Sequence, residues 1–362
     1  MLLSSFHSAR RRARHLGAAA LALTFASIAS LALSGCGTTF PEPVPPATSA
    51  SLINGGKDGL LIPLHVERSD EGHARLGLPV QVDGKPLYVE FDTGTHGLRV
   101  LKSALPGKDY AAAGGRSSLL LPNDAEIAGA SVKLPFSVAG AQATQIAAQS
   151  VDTVHCQPGA RHCVAMDGYT GEFGWAFSGV VGVGAPQPDD SCCAQPLRAL
   201  PGNIGQRYLV RANIDRPYLV LSPSSAITKN YTMVPMTKSA NGDAQWPRGC
   251  VNVDNRMTFC APLVFSTGSS GMIRIETDKA PDWTGDDDAG KILKQGNYQT
   301  AIGSGGWVHR YESAQVTIVK AKPDANRIVI GLMGMQNIDL LFDFPNAQVG
   351  LHAANQTERF AP

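Results

Sequence analysis

Val89-Glu90-Phe91-Asp92-Thr93-Gly94-Thr95-His96-Gly97-Leu98-Arg99-Val100 is the stretch whose reading decides the fold. It continues a hairpin. Val80 and Val82 alternate with polar residues, Asp83-Gly84 supplies a tight turn, and Leu87, Val89 and Phe91 alternate back. About 174 residues later the pattern returns. There Val251-Asn252-Val253-Asp254-Asn255 makes the turn, Pro262 to Phe265 runs back, and Ser266-Thr267-Gly268-Ser269-Ser270-Gly271-Met272 comes next. Each copy reads V-x-V-D-[GN], a return strand ending in Phe, then [DS]-T-G-[TS]-x-G. That spacing is too long for a solenoid period and points to two related lobes. Each half also carries an apolar run ending in glycine, Val180-Val181-Gly182 and Ile328-Val329-Ile330-Gly331. The second is followed by Leu340-Leu341-Phe342-Asp343-Phe344-Pro345-Asn346 and Val349-Gly350-Leu351.

Working outward, no long helical period occurs after Leu60. Short Val/Ile/Leu runs alternate with turn residues, and 38 Gly and 24 Pro in 362 residues suit many short strands. An all-β chain is expected. A net charge of +1 with 17% charged residues excludes an acidic or basic disordered tail, and no Lys/Arg excess offers a nucleic-acid footprint.

The N-terminus is read separately. Arg10, Arg11, Arg12 and Arg14 precede an apolar Ala/Leu-rich run that closes on Leu33-Ser34-Gly35-Cys36, the form of a secretory signal over residues 1–35. Small residues dilute the run, which disfavours a membrane-spanning anchor. The ending resembles the lipobox of bacterial lipoproteins. By that resemblance Cys36 carries the lipid, and Gly37 after it favours the outer membrane, facing the periplasm or the surface. Residues 36–58 are then the lipidated cysteine and a Pro-rich tether. Removing four arginines leaves a mildly acidic body, and removing Cys36 from seven cysteines leaves six.

The paired D-T-G and S-T-G loops, the apolar-apolar-Gly strands and the closing F-D-x-x-N-x-x-V-G-L resemble the pepsin-like, two-lobed aspartic peptidases, over roughly Leu76 to Ala353. The start D-T-G-x-x-G-L-R is also similar to that of other bacterial lipoproteins. The resemblance implies a bilobal double-β-barrel fold with an interlobe cleft, lobes at 59–222 and 223–362, and a division near Ser222-Pro223-Ser224. It implies catalysis by two facing carboxylates that share a proton. Asp92 matches the first. Ser266 stands where the second belongs, and a hydroxyl has no acidic proton to share. Thr93, Gly94, Thr267 and Gly268 are the loop-supporting residues. Tyr110 is the only tyrosine between Val100 and Ser150, and its surroundings do not resemble a substrate-clamping hairpin tip. The implied function is a degenerate peptidase whose cleft binds an extended peptide or protein partner. The alternatives are an active endopeptidase using Asp92 with a non-standard second group, and an envelope assembly factor acting through its outer surface.

Other candidates are weaker. Asp343 reads as a structural strand-end acid, Asp286-Asp287-Asp288 as a solvated loop, and His96 as a locally bonded ring. Cys250 and Cys260 flank the second hairpin and are placed for a cross-strand disulfide, as in the second lobe of pepsin-like enzymes. Cys156 and Cys163 bracket a short loop. Zinc is the alternative there, because His155-Cys156 and His162-Cys163 repeat a His-Cys pair. Cys192 and Cys193 can bond to each other, or each can reach Cys156 or Cys163. Six cysteines allow about 15 connectivities. No cofactor or metal is expected.

Overall fold

The computed structural model describes residues 50–68, 72–121, 125–156, 163, 177–186, 192–240, 242–285 and 291–353. All lie in one compact unit, Glu42–Pro362. The signal and lipobox residues 1–36, including Cys36, lie outside the described residues, as do His162 and Asp286-Asp287-Asp288. Within the stretch read as tether, Ser51–Leu52 forms a short strand paired with Leu60 and Leu61.

The fold is all-β, and the two quoted hairpins are its organising pieces. Ala74–Val82 pairs antiparallel with Lys85–Asp92, and Arg248–Val253 with Met257–Ser266. Both turns need left-handed backbone. Asp83 and Gly84 have φ of 52° and 76°, Asp254 and Asn255 of 51° and 56°, conformations that Asp, Asn and Gly tolerate best.

Around each hairpin the chain builds the same set of pairings. Lys85–Asp92 runs parallel to Gly179–Val183, which is antiparallel to His96–Leu101, which is parallel to Thr144–Cys156. Thr144–Cys156 pairs with Ala125–Val138, and a contact from Val80↔Val138 to Val82↔Phe136 brings that strand back to the first one. Met257–Ser266 likewise runs parallel to Arg327–Gly331, which is antiparallel to Ile273–Thr277, which is parallel to Trp307–Lys320. Trp307–Lys320 pairs with Ile292–Ser304, which returns to Arg248–Val253 and closes a six-stranded barrel. In the first half, His65–Arg68 and Ala112–Leu120 extend the set to an eight-stranded sheet.

A seven-stranded sheet joins the halves. Arg207–Arg211 from the first half pairs with Ile338–Asp343 from the second. Asp343 closes that strand, accepting from the Asn346 side chain at 3.0 Å and facing Arg207 Nε at 3.4 Å. Aromatic rings carry the core across the junction, with Tyr208 of the first half 4.9 Å from Phe342 of the second, which lies 5.7 Å from Trp246.

Alternation predicts the inward residues Val80, Val82, Leu87, Val89 and Phe91, and all are buried. Each such side chain contributes about 1.5–3 kcal/mol. The opposite face of the same strand is buried as well, at Tyr88, Glu90 and Asp92. Lys85–Asp92 is therefore covered on both sides, which polar alternation alone does not reveal.

The six described cysteines stand at disulfide distance in three pairs. Cys156–Cys163, Cys192–Cys193 and Cys250–Cys260 have Cα separations of 5.6, 3.7 and 4.0 Å. The last pair sits at register partners of the second hairpin.

Candidate functional site

Asp92 and Ser266 end their strands at equivalent places, because Asp92 pairs in register with Gly182 and Ser266 with Gly331. The glycines matter for close packing. A side chain on Gly182 would meet the Thr95 carbonyl carbon at 2.7 Å, and one on Gly331 would meet the Gly271 carbonyl oxygen at 2.2 Å. Each apolar-apolar-Gly strand can thus pass directly behind its loop.

The two loops grip each other reciprocally. Thr93 Oγ1 donates to the Phe265 carbonyl at 2.7 Å and accepts from Thr267 N at 3.2 Å. Thr267 Oγ1 donates to the Phe91 carbonyl at 2.6 Å and accepts from Thr93 N at 3.1 Å. All four bonds are buried, so each satisfies a backbone group with no access to water.

Between the threonines lies the Asp92 carboxylate, 1% exposed. Its Oδ1 accepts from Gly94 N at 2.7 Å, from Gly268 N at 2.9 Å and from the Ser266 hydroxyl at 3.0 Å. Ser266 is itself fully buried. Neither motif glycine has a positive φ, so their role is steric. A Cβ on Gly94 would lie 2.3 Å from Ser266 Cβ, and one on Gly268 would lie 2.6 Å from Asp92 Oδ2. The structure thus brings together Asp92, Thr93, Gly94, Ser266, Thr267 and Gly268. His96 is placed beside it, with Nδ1 3.1 Å from the Gly184 carbonyl. Tyr110 donates to Asp83 at 3.0 Å, far back on the first hairpin turn.

Next to the carboxylate runs a polar row that the sequence motifs do not single out. Glu90, Val180, Arg99 and Gln149 are successive register partners across four strands. Glu90 is 3% and Arg99 1% exposed. Arg75 Nε faces Glu90 Oε1 at 3.2 Å. Burial pushes the Glu90 carboxyl up to about 7, against the pull of Arg75 and with a push from the charge of Asp92. A signal was available in sequence, since Glu90 and Asp92 are two apart on a strand and share a face. The equivalent row in the second half is Val264, Val329, Arg274 and Thr317, with Arg274 Nε 3.0 Å and Arg327 Nε 2.7 Å from Glu276. The valine and the arginine are common to both rows, while Val264 and Thr317 stand where Glu90 and Gln149 do.

Two surface hollows, of about 540 and 320 Å³, are lined by Arg256, Met257 and Trp283 among others, and by Leu101, Lys102 and Asp152 among others. Neither lining includes Asp92 or Ser266. No protein-family model matches this chain, and no curated protein matches it significantly.

Proposed function

We propose that this chain is a degenerate aspartic peptidase of the pepsin-like, two-lobed kind, held at the bacterial envelope by a lipid on Cys36. On this reading a cleft between its lobes binds an extended peptide or protein segment with little or no hydrolysis. The observation that carries the reading is the bond from the Ser266 hydroxyl to Asp92 Oδ1 at 3.0 Å, at the position equivalent to Asp92 in the repeated frame. Hydrolysis by two carboxylates needs one to take a proton from water while the other gives one to the scissile carbonyl. Serine donates a hydrogen bond but cannot alternate between acid and base at moderate pH. Loss of such a partner reduces rate by about 10²–10⁴. Asp92 Oδ1 is moreover engaged by three donors that hold the loops together, a structural task that needs no catalysis. Main-chain pairing along an exposed strand edge is the recognition chemistry such a body offers to an extended segment.

The test is incubation of the purified chain with denatured protein between about pH 3 and 6, the range in which a carboxyl pair shares a proton. No cleavage is expected from the wild type, and Ser266→Asp is expected to gain some. Cleavage by the wild type that disappears in Asp92→Ala overturns the inactive reading. Crosslinking in envelope preparations then tests the binding role.

A further inference from the structure

Cys192–Cys193 is the least expected covalent feature of the chain. Cys156–Cys163 and Cys250–Cys260 close loops with sequence separations of 7 and 10, whereas this pair has a separation of 1. A cross-link between neighbours restricts the unfolded chain least of all, so it adds the least stability. Its effect is local. Cys193 is held at φ 86°, a backbone conformation that side-chain-bearing residues rarely adopt. Its Cβ fills the space over Gly97, where an added Cβ would lie 2.4 Å from it. From that same point the Cys193 sulfur and Arg99 Nη1 each lie at 3.5 Å, so both border the space over Gly97. Cys192 is 5% exposed and Cys193 is half-buried, so Cys193 is the more accessible residue of the pair.

The residues just C-terminal to the pair are firmly tied. Ala194 N donates to the Ala147 carbonyl at 2.8 Å. Gln195 Nε2 donates to the Val183 carbonyl at 3.0 Å, and Gln195 Oε1 accepts from Arg198 N at 2.6 Å. The cysteine pair therefore stands next to an anchored segment and rests on the strand His96–Leu101, which comes directly after the Asp92 loop.

We infer that Cys192–Cys193 is a thiol-exchange site, a clip over His96–Leu101 that a dithiol reductant opens without unfolding the protein. A thiolate of the dithiol attacks the Cys193 sulfur and expels the Cys192 thiolate, giving a mixed disulfide. The second thiol of the reductant then attacks its own sulfur in that bond and releases the Cys193 thiolate. The reductant leaves as a disulfide, two electrons pass to the protein, and the two dithiol protons end on the two cysteines. The Arg99 guanidinium favours the Cys193 thiolate as the leaving group of the second step. Once the ring is open, Cys193 can relax to an ordinary φ, which draws its side chain off Gly97. Exchange at this pair is independent of the peptidase reading.

The full chain is titrated with dithiothreitol under native conditions and then treated with phenylarsine oxide, which bridges neighbouring thiols with loss of water. Peptide mass spectrometry locates the adduct, and amide hydrogen exchange tracks the strands. The expected result is an arsenical bridge across Cys192 and Cys193, with exchange over His96–Leu101 rising about tenfold and Met257–Ser266 unchanged. The double variant Cys192→Ser/Cys193→Ser is expected to show the faster exchange without reductant and to lose that adduct. Two results overturn the inference. One is thiols at Cys192 and Cys193 only under conditions that also melt Met257–Ser266. The other is reduction that leaves exchange over His96–Leu101 unchanged.

Discussion

Replacing Thr93 by valine keeps the shape of the side chain and removes only its hydroxyl. Two hydrogen bonds disappear, the 2.7 Å donation to the Phe265 carbonyl and the 3.2 Å acceptance from Thr267 N. Thr93, Phe265 and Thr267 are each 0% exposed, so water cannot replace the lost partner. A buried backbone group left unpaired costs about 1–3 kcal/mol, and two of them give about 2–6 kcal/mol. Thr267→Val removes the symmetry-equivalent pair and is expected to cost the same. Thr93 and Thr267 bond each other's backbone in one network, so the double variant is expected to cost less than the sum, as far as the loops spread once the first grip is gone. Thr93→Ser restores the hydroxyl and is expected to recover most of the loss. Denaturant unfolding at fixed pH measures all four proteins, with midpoints falling and slopes unchanged. A loss below about 1 kcal/mol in either single valine variant, with its slope preserved, refutes the buried-bond account, because one orphaned group alone exceeds that.

Glu90 provides a pH test. Its folded pKa, about 7, stands above the usual carboxyl value of 4.5, so between these limits the folded state binds more protons than the unfolded one. Stability then falls as pH rises from about 4.5 to 7, by about 3 kcal/mol, and Glu90→Gln flattens that slope in urea titrations. Gly94→Ala forces the loops apart, since its Cβ would lie 2.9 Å from Ser266 Cα as well as against that side chain. A loss of about 2–3 kcal/mol is expected in thermal or denaturant unfolding, and a neutral result would show that the loops yield freely. Removing the Cys250–Cys260 bridge with Cys250→Ser/Cys260→Ser is expected to cost about 2–3 kcal/mol by the same measurement, because it reopens the turn loop of the second hairpin.

Local chemistry made much of the fold legible. Asp83-Gly84 and Asp254-Asn255 announce left-handed turns, and the backbone adopts φ near 50° at both aspartates. The repeated S/D-T-G loops mark the positions that meet at Asp92 and Ser266. Long-range pairing was not legible. Ala125–Val138 returns to Ala74–Val82 across intervening strands, and nothing in either segment names the other as partner. The burial of Glu90 stayed hidden for a related reason. In a strand covered on one face, a polar residue opposite the apolar ones points to water, but Lys85–Asp92 is covered on both. For Cys192 and Cys193 composition permitted several partners, and only the placement of the cysteines themselves selects one.

The two halves share a frame and differ in what they place on it. Thr93 and Thr267 exchange equivalent bonds, and the paired glycines make equivalent close approaches. The acceptor between them is not duplicated. Gly94 N, Gly268 N and the Ser266 hydroxyl all converge on one oxygen of Asp92, so donors from both halves are satisfied by a carboxylate from the first. A second carboxylate at residue 266 would bring like charges together at the centre of the grip and raise the pKa of one of them. Serine removes that repulsion and adds a donor instead. The polar row differs in the same sense, with Glu90 facing Arg75 in the first half and Val264 at the equivalent place in the second. The duplicated threonine grip therefore requires only one acid at its centre. On the proposed reading, a binding role leaves the whole frame in place without the acid–base pair that hydrolysis requires.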